Sequence, residues 1–162
     1  MKIPRFSLSK KSLVYPIRMT VAAVLALLVA RTLGFREIYW APISALVVMQ
    51  SDFGSSLLMS WHRFVGTALG VSVGALLAET LGHSTLVFGC GVLAVGLLSV
   101  ALRLDRPANR FAAIALTIVL LVGHAEPAWI AALHRLIEVS AGILAGLVLT
   151  AVWPEQQAKS AT

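Results

Sequence analysis

The sequence predicts an all-α integral membrane protein with six transmembrane helices. Of its 162 residues, 59% are hydrophobic and only 12% are charged, and the mean hydropathy is +0.89. Soluble domains are about half apolar and a quarter charged, and a small domain cannot bury such an apolar excess. The composition therefore excludes a soluble enzyme, a disordered tail and a coiled-coil rod. The single cysteine, Cys90, excludes a disulfide framework.

Six apolar runs alternate with short polar breaks, and together they occupy most of the chain. The runs, called spans 1 to 6, cover residues 17–33, 38–49, 57–81, 84–102, 111–122 and 128–153. A membrane-spanning helix needs about 20 residues. The predicted membrane domain thus covers residues 16–154, with a basic N-terminal segment at 1–15 and a tail at 155–162.

Each span ends at a polar or helix-breaking segment. Span 1 ends at a basic segment that contains Gly34, and span 2 ends at the polar residues 50–56. Span 4 is followed by the basic loop 103–110, span 5 ends at residues 123–127, and Pro154 stops span 6. Proline cannot continue a helix because it lacks the backbone N–H and clashes with the preceding turn.

Lysine and arginine set the predicted orientation, because they are retained on the cytoplasmic side of membrane proteins. With both termini in the cytoplasm, only Arg31, Arg36 and Arg135 of the 13 basic residues lie on the outer side. The net charge of +6 is thus explained by the bilayer, and we expect no nucleic acid partner.

Spans 3 and 6 share a sequence block. His62-Arg63, Gly70 and Gly74 recur 72 residues later as His134-Arg135, Gly142 and Gly146, and the same ungapped shift lays span 2 on span 5. Repeats of three helices cross the bilayer in opposite directions, as in the inverted 3+3 repeats of many secondary transporters. Repeat 1 covers about 16–82 and repeat 2 about 83–154. Such a repeat supports alternating access or is only architectural.

Spans 2 and 5 are too short to cross a bilayer. At 1.5 Å per residue, residues 38–50 reach about 20 Å and residues 111–122 about 18 Å, against a hydrocarbon core of about 30 Å. Short spans at matching positions of two repeats indicate a transporter's binding site. Alternatively, polar flanking residues complete these helices, or the bilayer is locally thinner.

Glycines follow one face of span 3 and one face of span 6. They are Gly66, Gly70 and Gly74, and Gly142 and Gly146. Small residues let helices approach closely in lipid. We therefore expect a helix-packing seam between spans 3 and 6, which is either purely structural or a sliding surface between the repeats.

Glu138 lies ten residues into span 6, where an ionisable group is costly and usually faces a partner or a watery cavity. Arg135 and His134 share its helical face at positions i−3 and i−4. Glu138 is therefore either half of an intrahelical ion pair with Arg135 or a proton carrier whose pKa is controlled by burial and by Arg135.

Several further residues are candidates for binding a small organic anion. Arg63 and Arg135 can hold a carboxylate through two parallel hydrogen bonds, or they extend towards lipid phosphates. The histidines next to them in sequence, His62 and His134, are expected to be interfacial polar residues rather than metal ligands. No cofactor or metal site is expected, and the sequence contains no enzyme signature. The remaining candidates are His62, His134, Trp40, Tyr39 and Phe111, of which the aromatic residues either stack on a substrate ring or anchor the protein at the interface.

Three motifs resemble the fusaric acid resistance and aromatic acid exporter (FUSC-like) family. They are Tyr39-Trp40-Ala41-Pro42-Ile43-Ser44-Ala45-Leu46-Val47-Val48-Met49-Gln50-Ser51, then Ser56-Leu57 with Arg63-Phe64-Val65-Gly66-Thr67-Ala68-Leu69-Gly70, and Arg135-Leu136-Ile137-Glu138-Val139 through Gly142 to Trp153-Pro154. The resemblance covers about residues 16–154. It implies a six-helix inner-membrane unit that exports aromatic carboxylic acids or related compounds and is driven by the proton gradient.

Larger members of this family carry a cytoplasmic domain, and many carry a second set of six helices. A lone six-helix unit therefore predicts a homodimer, or a chain that needs a partner protein. We expect a multi-pass efflux transporter of the bacterial inner membrane. The alternative is a non-transporting scaffold or accessory subunit of a larger complex.

Overall fold

The computed structural model describes residues 10–122 and 126–153. Within these ranges the chain forms six α-helices and no β-strand. The helices are α1 (Lys10–Thr32), α2 (Trp40–Val48), α3 (Phe53–Leu81), α4 (Thr85–Ala101), α5 (Arg106–Leu121) and α6 (Ala128–Val152). The predicted tail at 155–162 lies outside the described residues, as does most of the predicted N-terminal segment at 1–15.

The helices fall into two length classes. Three of those described are long and apolar enough to cross a membrane, over Leu13–Thr32, Phe53–Leu81 and Ala128–Val152, and α4 is a shorter apolar helix. The nine residues of α2 reach only about 14 Å, half of a hydrocarbon core. The all-helical prediction is confirmed, whereas the six spans, the orientation and the inverted arrangement stay predictions.

Several helix ends differ from the predicted spans for local reasons. The α3 helix begins at Phe53, inside the polar segment expected to be a break, because the Asp52 carboxylate accepts a hydrogen bond from the Ser55 backbone N–H at 2.9 Å. This contact satisfies one of the free N–H groups of the first turn. The α2 helix begins only at Trp40, since residues 36–39 form turns. Both α1 and α3 are followed by a glycine with positive φ, Gly34 and Gly82.

The six helices pack as two groups of three that do not follow the order of the chain. One group contains α1, α2 and α6, and the other contains α3, α4 and α5. The groups meet mainly where α3 packs on α6. The helices at the two predicted short spans, α2 and α5, are called the short helices below. Each packs mainly against one long helix, α2 on α6 and α5 on α3.

The glycines of α3 and α6 mark close helix contacts, but their partners differ from the expected seam. A Cβ on Gly70 would overlap the backbone carbonyl of Ala112 in α5, and a Cβ on Gly142 would overlap that of Ala41 in α2. The two glycine faces thus pack on the short helices and not on each other. The physical reason is that α2 and α5 present alanines, whose small side chains let the backbones meet.

The two close contacts use corresponding positions. Gly74 lies near Leu116 and Val119, and Gly146 lies near Ala45 and Val48. The glycines are separated by 72 residues, but their partners on the short helices are separated by 71. The ungapped shift of 72 is therefore one residue out of register for α2 and α5.

Adding a methyl group at either close contact should destabilise the protein. We expect Gly70→Ala and Gly142→Ala each to cost about 1–3 kcal/mol, because the overlapped atoms are backbone and cannot move aside cheaply. Gly96→Ala in α4 is the control, since no atom lies within 4 Å of its added Cβ. Thermal unfolding in detergent measures the difference. Equal midpoints for all three variants would contradict the close contacts.

Candidate functional site

Two arginines, Arg63 of α3 and Arg135 of α6, are buried at the centre of the bundle. Arg63 is only 4% exposed to solvent and Arg135 only 3%. Both line one small cavity, together with Trp40, Thr67 and Phe111. Its volume of about 10 Å³ corresponds to roughly one water molecule. The structure therefore has a closed centre.

Each arginine stacks on an aromatic ring of a short helix. The Arg63 Cζ lies 4.8 Å from the ring centroid of Phe111, and the Arg135 Cζ lies 4.1 Å from that of Trp40. A guanidinium above a ring is attracted by the negative face of the π system. Phe111 belongs to α5 and Trp40 is the first residue of α2, so the short helices supply both rings.

Arg135 has two carboxylate neighbours. Its Nη2 forms an ion pair with the Glu37 Oε2, and its Nη1 lies 3.8 Å from the Glu138 Oε2. The Glu37 Oε2 also accepts a hydrogen bond from the Trp40 Nε1 at 2.8 Å, and the Glu138 Oε1 accepts one from the Glu37 backbone N–H at 3.1 Å. We call Glu37, Arg135 and Glu138 the ion cluster.

Arg63 is surrounded differently. Its Nη2 donates a long hydrogen bond of 3.4 Å to the Ser44 Oγ. Its Nε is buried without a hydrogen-bond partner among the described residues, as are the Nε and Nη1 of Arg135, so the two arginines differ in their carboxylate neighbours. No carboxylate among the residues the structure describes lies within 4.0 Å of its guanidinium. A buried cation without a counter-ion is costly, because it has lost its water and gained no opposite charge.

A second pocket borders the ion cluster at Glu138. It has a volume of about 240 Å³ and lies between the α1–α2 connection and α6, with Arg36, His134 and Glu138 in its lining. Glu138 lines this pocket, whereas Arg135 lines the central cavity. The ion cluster therefore borders both spaces.

The structure brings only some of the predicted site residues together. Arg63, Arg135, Trp40 and Phe111 share the central cavity. Tyr39 is half exposed and has its ring centroid 5.5 Å from that of Trp40, outside the cavity lining. Proton carriage by Glu138 stays a prediction.

The two histidines lie outside the central cavity. The His62 Nε2 lies 2.8 Å from the Asp105 Oδ2, and the His134 Nδ1 lies 3.6 Å from the Glu126 Oε2. In the described part of the chain, no three histidine, cysteine, aspartate or glutamate side chains are grouped so that they could hold a metal ion.

Glu37 belongs to the ion cluster although the sequence did not single it out. It lies between two apolar runs, where a polar residue is expected at a span end, and its partner Glu138 is 101 residues away. The sequence signal for its role was its position three residues before Trp40, a spacing at which the two side chains can form the hydrogen bond seen in the structure.

Comparison with known protein families gives a match over most of the chain. Residues 24–149 match the family described as fusaric acid resistance protein-like. The chain belongs to this family. Together with its long apolar helices, family membership identifies a multi-pass membrane protein.

Individual relatives match over a shorter stretch. The chain is similar to the "Uncharacterized transporter YdhK" of Escherichia coli strain K12, with 41% identity over 70 residues, and equally to its namesake from strain O157:H7. The match covers 43% of this chain and 10% of each relative. No solved structure matches the chain significantly.

Proposed function

We propose that this chain is an efflux transporter of the bacterial inner membrane that works as a homodimer. Its substrates would be aromatic carboxylic acids or related organic anions, and the proton gradient would drive export. Family membership and the description of the relative as a transporter support a membrane transporter. The central pair of arginines supports the class of substrate.

The observation that carries the proposal is one cavity lined by two buried guanidinium groups, each stacked on an aromatic ring. A guanidinium binds a carboxylate through two parallel hydrogen bonds. Phe111 and Trp40 offer flat apolar surfaces beside those donors. An aromatic acid presents the matching groups, a carboxylate joined directly to a flat ring.

The nine-residue length of α2 supports a binding site at this place. The helix begins at Trp40, in the lining of the cavity, so its N-terminus lies next to the site. Helix N-termini carry partial positive charge and favour anions. Secondary transporters place such interrupted helices at the substrate site near the bilayer midplane.

The closed centre corresponds to one step of alternating access. A cavity of about 10 Å³ cannot hold an aromatic acid, whereas the pocket of about 240 Å³ beside the ion cluster has more room. Protonation of Glu138 would remove one negative charge from the ion cluster and weaken its hold on Arg135. Movement of the ion cluster would then join the two spaces, which is how proton uptake would be coupled to substrate movement.

The proposal is tested by growth of an efflux-deficient host on a panel of aromatic acids. We expect the wild type to protect cells and Glu138→Gln to lose that protection at matched membrane levels, because glutamine cannot carry the proton. Glu79→Gln is the control, since it keeps an acceptor for the Ala128 backbone N–H and does not line the cavity.

The other outcomes separate the alternatives. Protection by all three proteins would retain the exporter and contradict proton carriage by Glu138. Protection by none would contradict independent export and favour an accessory subunit. Co-purification with a fixed partner would then be the next measurement.

A further inference from the structure

We propose that Arg63 and Phe111 form the primary carboxylate-binding site. At the corresponding Arg135 site, the Glu37 carboxylate pairs with Arg135 and contacts Trp40, and it occupies the place that a substrate carboxylate would take at Arg63. This inference rests on the proposed export of organic anions and deepens it. It assigns different states to the two arginines: one is occupied by the protein's own carboxylates, and the other is vacant for a ligand's carboxylate.

The two arginine sites are built from corresponding positions. Arg63 and Arg135 are 72 residues apart, and their stacking partners Trp40 and Phe111 are 71 residues apart. These are the separations found at the close glycine contacts. The two sites therefore share one design, in which a long helix supplies the cation and a short helix supplies the ring.

The acidic residues of the Arg135 site have no acidic counterparts at the Arg63 site. The same separations relate Glu37 to Ala108 and Glu138 to Gly66. The contacts between these positions also correspond. Gly66 packs against Ala108 at the Arg63 site, and Glu138 accepts a hydrogen bond from the Glu37 backbone N–H at the Arg135 site. The Arg63 site is thus the Arg135 site without its two carboxylates.

The vacant site has donors that a ligand carboxylate would satisfy. Among the described residues, the Arg63 Nε has no hydrogen-bond partner and the Nη2 makes only the long contact with Ser44. A carboxylate bound across Nε and Nη2 would neutralise the buried charge and satisfy both donors. Phe111 and the apolar side chains of Ile114 and Ile118 line the space next to it.

These surroundings define the ligand as a monocarboxylate on a flat apolar group. One guanidinium without a counter-ion matches one negative charge. The lining beyond it, apart from Arg135 and Thr67, is apolar or aromatic. Because the cavity now has room for about one water molecule, binding must widen it, and the bound form differs from the structure described here.

The test compares conservative variants at the two arginines, using benzoate as the probe. The full chain is purified in nanodiscs and titrated calorimetrically at constant ionic strength and chloride concentration. We expect one benzoate per wild-type chain and a loss of affinity of at least about tenfold in Arg63→Lys, because lysine keeps the charge but not the two parallel donors. Arg135→Lys should lose clearly less affinity than Arg63→Lys, because the Arg135 guanidinium already pairs with Glu37 and Glu138.

Two controls exclude trivial causes. Benzyl alcohol, which carries the ring without the carboxylate, should not bind at benzoate concentrations that saturate the wild type. Both lysine variants must elute as single species with the helical content of the wild type. Should either lysine variant fail to fold, Phe111→Leu replaces it as the perturbation of the Arg63 site and Trp40→Leu as that of the Arg135 site.

The possible failures are distinguishable. Equal losses at the two arginines, no benzoate binding to the folded wild type, or equal binding of benzyl alcohol would each overturn the assignment. If cells are protected while Arg63→Lys binds benzoate normally, export stands and the assignment of the site is wrong. If the wild type binds benzoate as expected but protects no cells, the site stands and the proposed export is wrong.

Discussion

Neutralising Arg135 should lower the stability of the protein, whereas neutralising Arg63 should not, although the two arginines occupy corresponding positions. Arg135→Gln leaves the Glu37 and Glu138 carboxylates without their cation. Removing one partner from a buried ion pair costs about 3–5 kcal/mol, which in a chain of this size lowers the unfolding midpoint by roughly 6–20 °C. Glu37 is partly exposed, so the lower end of that range is expected.

Arg63→Gln should leave the midpoint unchanged or raise it. The substitution removes a buried cation that has no carboxylate neighbour among the described residues, so it removes a desolvation penalty. It also removes the stacking on Phe111, which contributes about 0.5–2 kcal/mol. This loss reduces the stability that is gained by removing the buried charge.

Both midpoints are measured in nanodiscs without added organic acids, since a bound carboxylate would stabilise the wild type and hide the effect. The wild type should gain stability on addition of benzoate, and Arg63→Gln should not. Large and equal losses for Arg63→Gln and Arg135→Gln would mean that Arg63 has a counter-ion, and the vacant-site hypothesis would be wrong.

The helices were predictable because their apolar runs are long and their breaks are polar, but their ends depend on single contacts. The polar residues 50–56 were expected to be a break. One hydrogen bond from the Ser55 N–H to Asp52 instead starts α3 at Phe53. A capping residue inside a polar segment was the signal for this earlier start.

The glycine positions were predictable as close contacts, whereas their partner helices were not. A stripe of glycines marks the face of a helix that approaches another backbone, but it does not identify that backbone. Ala41 and Ala112 are the complementary small residues. Recognising them requires knowing the packing of two helices that are distant in sequence.

The site was predictable where one side chain is unusual by itself. Arg63, Arg135 and Glu138 stand out because charged residues inside apolar runs are rare. Glu37 does not stand out, because its role depends on contacts with residues about 100 positions away. For the same reason the sequence did not distinguish an arginine with two carboxylate neighbours from one with none.

Replacing the whole ion cluster with glutamine should restore most of the stability that Arg135→Gln loses. In the combined variant Glu37→Gln, Arg135→Gln and Glu138→Gln, no charge of the cluster remains buried. Neutral replacement of a complete buried ion group is often tolerated, whereas removal of one partner is not. Glutamine also keeps hydrogen-bond donors and acceptors near the Trp40 Nε1 and the Glu37 backbone N–H. We expect the midpoint to return at least halfway to the wild-type value.

The same combined variant should not protect cells against aromatic acids. It keeps Arg63 and Phe111, so benzoate should still bind, but it lacks the carboxylate proposed to carry the proton and the other charges of the ion cluster. A stable variant that binds benzoate and fails to export it would assign the ion cluster to transport rather than to folding. Full protection by the combined variant would contradict that assignment, and the cluster would then be a structural feature that neutral side chains can replace.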